Sequence, residues 1–206
     1  MSDLKFQFAP RVSDDGKFSG YGAVFGNVDS HRDVIERGAF TKSLEAWRAK
    51  GRWPHMRLQH GSAGNVFRHD DLPIGRWLSL YEDRTGLWVE GQLLALETEQ
   101  GKRLLSLMEG GVLDGLSIGF RPVKTRAGTG TVSRYLVEID LREISLVDDP
   151  SNDLSRVAAL SATDIAADKV RAAMAALREE AAKAAETPAD RFGAALQRFK
   201  SELAKH

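Results

Sequence analysis

The chain has 206 residues and a mass of 22.7 kDa, which is enough for one domain with a proper hydrophobic core. Its 29 basic and 29 acidic side chains balance, so the general electrostatic argument for binding nucleic acid or an anionic membrane does not apply. The absence of cysteine excludes a thiol nucleophile, a cysteine zinc site and disulfide bonds. Because the first residues carry charge and no apolar run approaches the roughly 18 residues of a membrane span, we expect a soluble protein made in the cytoplasm.

Strand patterns separated by turn signals, with two helical stretches between them, fill the first part of the chain. Many short strands with few helices predict a mostly β or α+β domain, built as an antiparallel β-barrel. The predicted elements, in chain order, are a strand at 20–26, a helix at 38–50, a hairpin of strands at 77–81 and 87–94, a helix at 97–109, and two strands on either side of a turn at 126–130, the second covering 135–147.

Composition changes sharply near residue 160, since 15 of the 47 residues from Leu160 to His206 are alanine. The change predicts a domain over residues 1–158 and an alanine-rich helical tail over residues 159–206. Thr187 and Pro188 separate two tail helices. The first has a stripe of Val170, Met174, Leu177, Ala181 and Ala184, and the second a ridge of Phe192, Leu196, Phe199 and Leu203. The tail is either a helical hairpin packed on its own domain or a detachable arm that binds a partner, and the sequence leaves both open.

A serine between glycines, in the segment from Gly115 to Gly119, matches the G-x-S-x-G pattern of the nucleophile elbow. The α/β-hydrolase fold needs its acid and then its histidine after the serine, and only the terminal His206 follows Ser117. That fold is therefore excluded by residue order. By itself the pattern is more often a simple turn than a catalytic serine.

Four histidines precede Ser117 and could supply its general base: His31, His55, His60 and His69. His60 follows an apolar strand and opens into a glycine-rich loop, where a side chain can be held and still reach a cleft. His31 and His69 lie in charged stretches, so we expect them to be solvated and dispensable. A metal site formed by His55, His60, His69 and Asp70 ranks lower, because these residues lack a compact ligand spacing.

Strand alternation over 135–147 places the Glu143 carboxylate on a mostly apolar face. The other residues of this predicted face are Tyr135, Val137, Ile139, Leu141, Ser145 and Val147. A buried carboxylate needs a cationic or hydrogen-bonding partner, which could be a histidine or a core arginine. With a histidine as the partner, His60, Ser117 and Glu143 would have the roles of base, nucleophile and orienting acid in a serine-nucleophile triad.

Taken together, these segments resemble the prohead (procapsid) maturation proteases of tailed bacteriophages, which are related to herpesvirus assemblin. The resemblance runs from about residue 18 to residue 157, and its ordered set of motifs is more specific than any one of them. The motifs are those at 20–26, 33–40, 57–61, 72–75, 86–91, 115–120, 140–147 and 150–152. The family's histidine, serine and acid fall on His60, Ser117 and Glu143.

The resemblance implies a β-barrel flanked by helices and a serine endopeptidase that needs no metal or other cofactor. It implies that the enzyme acts inside the procapsid in the host bacterial cytoplasm. There it removes the scaffolding segment of the major capsid protein and cleaves itself, without nucleic acid or membrane as partner. Its partners are thus the capsid protein and further copies of itself, with which it could form a homo-oligomer. The tail would then be a scaffold-contact arm that is removed on activation. A non-catalytic assembly factor is the alternative from another functional class, and a metal-dependent hydrolase is a more distant one.

A first prediction concerns the tail. A chain truncated after Ala159 should fold and keep its peptidase activity but should no longer be packaged into procapsids, because the tail ridge offers a partner surface. The full-length protein should trim itself within or near the tail, and Ser117→Ala should stay intact. Mass spectrometry of the two purified proteins checks the trimming. Loss of folding on truncation, or both proteins remaining whole while capsid protein is cut, would show that the tail belongs to the domain.

Overall fold

The computed structural model describes residues 12–61 and 72–159, together with the tail residues Val170, Ala173, Met174 and Leu177. The chain divides into two compact units, Met1–Leu160 and Ser161–His206. In the second unit the four described residues are helical, and three of them belong to the predicted apolar stripe. The predicted second tail helix lies outside the described residues, and a separate role for the tail stays a prediction. Within the described residues, no helix is long and apolar enough to cross a membrane.

Seven strands and two helices make up the described part of the first unit. Both predicted helices and the predicted hairpin are present, with ends within a few residues of those expected from the sequence. The elements are β1 (Lys17–Val24), β2 (Asp33–Ile35), α1 (Thr41–Ala49), β3 (His55–Leu58), β4 (Gly75–Glu82), β5 (Gly86–Leu93), α2 (Glu99–Glu109), β6 (Gly115–Ala127) and β7 (Arg134–Val147).

The strands form one sheet in the order β1-β5-β4-β3-β7-β2, and β6 pairs with the other edge of β7. Most pairs are antiparallel, but β2 and β3 both run parallel to β7. The prediction of a mostly antiparallel sheet is confirmed, but the two parallel pairings of β7 were not predicted. Their physical reason is the connection through α1, since a helical crossover returns the chain in the same direction along the same edge of β7. The strand expected before His60 is β3, whereas β2, with three residues, is too short to show in the sequence pattern.

The sheet curls into a half-barrel, and residues 155–158 bridge its open side. The backbone N–H of Tyr21 in β1 donates to the Arg156 carbonyl at 3.2 Å, and that of Leu116 in β6 donates to the Ser155 carbonyl at 2.9 Å. A side chain at Gly20 would place its Cβ 2.8 Å from the Cα of Val157, so only glycine permits this approach.

A β-bulge divides β7, the longest strand. Opposite β6, Gly119 pairs with Glu143 and Phe120 with Leu141, so Arg142 is an extra residue. The apolar side chains on either side of the bulge that are fully buried are Ile139 and Leu141 before it and Ile144 and Leu146 after it. The prediction that Glu143 shares a face with Ile139 and Leu141 is therefore wrong, because the bulge exchanges the two faces of the strand. The part of the prediction that places Glu143 and Ser145 on one face is confirmed.

Helix α1 packs across β7 beside the bulge and satisfies the backbone of Leu141. The Ser43 hydroxyl accepts a hydrogen bond from the Leu141 N–H at 2.9 Å, and the Trp47 indole N–H donates to the Leu141 carbonyl at 2.9 Å. A buried backbone group without a partner would be costly. These two side chains therefore hold the irregular part of β7 in place, directly before Glu143.

Candidate active site

Strand β7 brings the three candidate residues together because it pairs on both edges. On the β6 edge Ser117 lies opposite Ser145, and Gly119 lies opposite Glu143. On the other edge β3 ends at Leu58, which pairs with Leu146, and His60 follows two residues later. Residues directly opposite each other in a sheet point to the same face. Ser117, Glu143 and Ser145 therefore share one face of the sheet, next to the end of β3.

The backbone turns sharply at the end of β3. Gln59 and His60 have φ angles of 50° and 61°, in the left-handed region, which costs a residue other than glycine about 1–3 kcal/mol. The Gln59 N–H donates to the Leu146 carbonyl at 2.9 Å, and its amide donates to Asp148 Oδ1 at 2.8 Å. This side-chain hydrogen bond lowers the pKa of the Asp148 carboxyl. These hydrogen bonds hold the turn in its strained conformation. Residues in strained conformations of this kind are concentrated at functional sites.

His60 and Glu143 form a direct hydrogen-bonded pair. The distance from His60 Nδ1 to Glu143 Oε1 is 2.7 Å, with side-chain exposures of 41% and 12% respectively. The second carboxylate oxygen, Oε2, accepts a hydrogen bond from the Ser145 hydroxyl at 2.5 Å. An ionised carboxylate can only accept, so Nδ1 carries the proton in this arrangement and Nε2 keeps its lone pair. Of the partners that the sequence left open for Glu143, the described residues provide a histidine rather than an arginine.

A cleft of about 290 Å³ contains both His60 and Ser117. Ser117 is buried, with 8% of its surface exposed, and among the described residues its hydroxyl makes no hydrogen bond. Catalytic hydrogen bonds are often long in unliganded enzymes and tighten in the substrate complex. The cleft wall also includes Ile35, Leu116, Ile118 and Phe120, which give it apolar surface.

A second serine–histidine pair lies in the same cleft. His31 Nε2 is 3.3 Å from the Ser151 hydroxyl, and both residues line the cleft. His31 is exposed, as expected from its charged surroundings, but its position beside Ser117 was not indicated by the sequence. Its dispensability stays a prediction. Within the described residues no carboxylate bonds to its ring, since Asp29 Oδ1 accepts instead from the backbone N–H of His31 at 2.9 Å.

Among the described residues that line the cleft, Asp29 is the one with a carboxyl group. Burial raises the pKa of Asp29, against the opposing effect of its backbone hydrogen bonds. The loop that carries both residues leads into β2, where Asp33 forms a two-point ion pair with Arg134 of β7 at 2.7 Å for each contact. Strand β7 therefore anchors this wall of the cleft as well.

The other predicted histidines do not join the cleft in the described part of the chain. His55 is the Cα partner of Glu143 in the β3–β7 register, but it is exposed and lines a separate pocket with Trp53 and Arg76. His69 and Asp70, the remaining members of the metal alternative, lie outside the described residues. Ser145 is the polar neighbour that the sequence analysis did not single out. The only feature of the sequence that pointed to Ser145 was its position two residues after Glu143, on the same face of the predicted strand.

The G-x-S-x-G pattern has a different structural role from the turn expected for it. Ser117 lies within the extended strand β6, so the prediction of a turn is wrong. A side chain at Gly119 would put its Cβ 2.9 Å from Glu143 Cγ and 3.0 Å from Cδ, with Oε1 closer still. The Glu143 carboxylate thus occupies the space that a side chain at position 119 would fill. Glycine is required there because the acid folds over it.

Comparisons with known proteins agree in pointing to one family. The family model described as caudovirus prohead serine protease matches residues 5–170. The prohead protease of Enterobacteria phage HK97 is 34% identical over 162 residues, which cover 75% of this chain and 65% of that protein's length. The chain thus spans about two thirds of this relative.

Two solved structures are also similar. The bacteriophage T4 capsid assembly protease matches with a TM-score of 0.52 and 11% identity, over 65% of this chain and 82% of the T4 chain, which is a likeness of fold. The KSHV protease, solved with a hexapeptide phosphonate inhibitor, matches with a TM-score of 0.42 and 12% identity, over 77% of this chain and 76% of that chain.

The steric role of Gly119 leads to a second prediction. In Gly119→Ala the new methyl group displaces the Glu143 carboxylate from His60, while Ser117 and His60 remain. Because displacing a catalytic group by about 1 Å can cost about 10²-fold in rate, peptidase activity should fall by roughly that factor. The control is Thr125→Ala, at an exposed position of the same strand. Cleavage assays with circular dichroism check the result, and a fully active, folded Gly119→Ala protein would contradict it.

Proposed function

Since the chain belongs to the caudovirus prohead serine protease family, we propose that it is a serine endopeptidase in which Ser117 is the nucleophile, His60 the general base and Glu143 the orienting acid. The observation that carries the assignment is the 2.7 Å hydrogen bond between His60 and Glu143 in a cleft that also contains Ser117. The family and the HK97 relative support the peptidase activity, and the geometry supports the choice of residues.

In the proposed reaction His60 Nε2 takes the proton of the Ser117 hydroxyl as Oγ attacks the carbonyl carbon of a peptide bond. The Glu143 carboxylate stabilises the imidazolium that forms and holds the ring in its Nδ1–H tautomer. His60 then protonates the leaving amine, and the peptide C–N bond breaks to give an acyl-enzyme on Ser117. A water molecule, deprotonated by His60, hydrolyses this ester and restores the serine.

The second pair, His31 and Ser151, is the competing assignment within the same cleft. Among the described residues no carboxylate accepts a hydrogen bond from the ring of His31, since Asp29 accepts from backbone N–H groups instead. The tautomer of His31 is therefore not fixed in the way that Glu143 fixes that of His60. The carboxylate therefore favours His60 and Ser117 over His31 and Ser151.

The substrate that we propose is the major capsid protein of a tailed phage, cut to release its scaffolding segment within the procapsid, together with the protease itself. Support comes from the family description and from the HK97 relative, which is named a prohead protease. The zero net charge of the chain is consistent with a protein substrate rather than a nucleic acid.

The third prediction tests the catalytic set. With the major capsid protein of a tailed phage as substrate, Ser117→Ala and His60→Ala should each lower the cleavage rate by about 10⁶-fold, to background. Glu143→Gln should leave weak activity, about 10³–10⁴-fold below the unmodified protein, because the acid orients the base and transfers no proton. Electrophoresis and mass spectrometry of the capsid protein measure the rates.

The matched control is Ser151→Ala, which removes the other histidine-linked hydroxyl of the cleft and should still cleave. If Ser117→Ala still cleaves and Ser151→Ala does not, the nucleophile is Ser151 of the second pair and not Ser117. Shell assembly with no processing by the unmodified protein would favour a non-catalytic assembly factor instead.

A further inference from the structure

The Ser145 hydroxyl connects two members of the proposed catalytic set, and we propose that Ser145 is a positioning residue that fixes the Glu143 carboxylate and the backbone of His60 together. The inference rests on the proposed function of His60, Ser117 and Glu143. Ser145 is fully buried in the middle of the paired part of β7, between β3 and β6. Its hydroxyl is therefore held by the sheet and not by a flexible loop.

The chemistry of each group fixes the direction of the hydrogen bonds around Ser145. A backbone N–H can only donate, so Ser145 Oγ accepts from the His60 N–H at 3.1 Å. The single hydroxyl proton of Ser145 then points to Glu143 Oε2 at 2.5 Å. The other oxygen, Oε1, accepts from His60 Nδ1 at 2.7 Å. The three residues thus form a closed ring of hydrogen bonds in which each donor is determined by its chemistry.

This ring has consequences for the base. Both oxygens of Glu143 are engaged, one by the serine and one by the imidazole, so the carboxylate has no freedom to rotate away from the ring of His60. With the Nδ1 proton donated to Oε1, the lone pair of the neutral imidazole is on Nε2, where it can accept the proton of Ser117. The hydrogen bonds of the Ser145 hydroxyl in the described structure are to Glu143 and His60, so Ser145 acts on catalysis through these two residues.

The backbone of His60 needs such a partner. The β3–β7 ladder ends at Leu58, and the Gln59 N–H uses the last available carbonyl, that of Leu146. His60 follows in the left-handed region with φ 61°, where no further β7 backbone group pairs with its N–H. The Ser145 side chain supplies the missing acceptor. Ser145 Oγ thus stabilises the strained turn at His60 and also orients the Glu143 carboxylate that binds the ring of His60.

The fourth prediction tests this role with Ser145→Ala, which removes one hydrogen bond to the carboxylate and one to the His60 N–H. We expect the single-turnover rate of capsid-protein cleavage to fall by about 10- to 100-fold, the usual cost of losing an outer partner of a catalytic or metal-binding group. Two controls separate positioning from stability. Ser155→Ala alters an equally buried serine whose hydroxyl has no partner in the described structure, and Thr98→Ala removes the capping hydroxyl of α2. Both should cleave at the normal rate.

A spectroscopic readout responds to orientation and not to stability. In the unmodified protein the His60 Nδ1 proton, bonded to a carboxylate, should give a downfield proton resonance that disappears in Glu143→Gln. In Ser145→Ala this resonance should move upfield or broaden, whereas Thr98→Ala should leave it unchanged even where its melting temperature falls. Ser145→Cys, which keeps a weaker donor in nearly the same volume, should cleave at a rate between those of the unmodified protein and Ser145→Ala.

The outcomes separate this inference from the proposed function. If Ser117→Ala still cleaves, the catalytic set itself is wrong. If Ser117→Ala is inactive but Ser145→Ala cleaves normally with an unchanged resonance, only the positioning role is overturned. If Ser145→Ala does not fold, the cysteine variant decides: a normal rate and an unchanged resonance contradict the role, and an intermediate rate with a shifted resonance supports it.

Discussion

The architecture of this protein depends on the pairing of β7 along both of its edges. Strand β6 runs along one edge for nearly its whole length, and the short parallel strands β2 and β3 share the other. Each neighbour delivers one part of the cleft: β6 carries Ser117, the end of β3 carries His60, and β2 follows the loop with His31. Glu143 and Ser145 belong to β7 itself. A site built on paired strands is more rigid than one built on loops alone, and such rigidity is what a proton relay needs.

The bulge at Arg142 determines which way the acid faces. Without the extra residue, Glu143 would continue the face of Ile139 and Leu141 and enter the hydrophobic core, where an ionised carboxylate is strongly unfavourable. With it, the carboxylate lies over Gly119, mostly buried but in contact with His60 and Ser145. Helix α1 holds the irregular backbone through Ser43 and Trp47. The reduced exposure of the carboxylate strengthens its hydrogen bonds, since water competes for them less.

Much of this arrangement could be predicted from the sequence, and the rest could not for identifiable physical reasons. Turn residues and hydrophobic periodicity gave both helices and the hairpin, because these depend on local patterns. The strand before His60 was expected, but the sequence of a strand does not show which way its partner runs, so the parallel pairing of β3 with β7 was missed. Strand β2 was missed because three residues carry no periodicity. The sequence does not show the bulge either, so strand alternation assigned Glu143 to the wrong face, although it still identified this residue as a carboxylate that needs a partner.

Gly119 resembled part of a turn in the sequence. Its role, which is to leave space for the Glu143 carboxylate, becomes apparent only from the pairing that places Glu143 opposite it. His31 reaches the cleft, and Ser145 reaches Glu143 and the backbone of His60, through long-range pairing that residue type alone does not reveal.

The central claim is that the pair of His60 and Glu143 activates Ser117 rather than another hydroxyl of the cleft. The most direct measurement is covalent labelling of the full chain with a fluorophosphonate, which phosphonylates activated serines, followed by mass spectrometric mapping of the adduct. The account predicts one adduct, on Ser117, with labelling lost in His60→Ala and retained in His31→Ala. An adduct on Ser151, or labelling of Ser117 that survives the loss of His60, would contradict it.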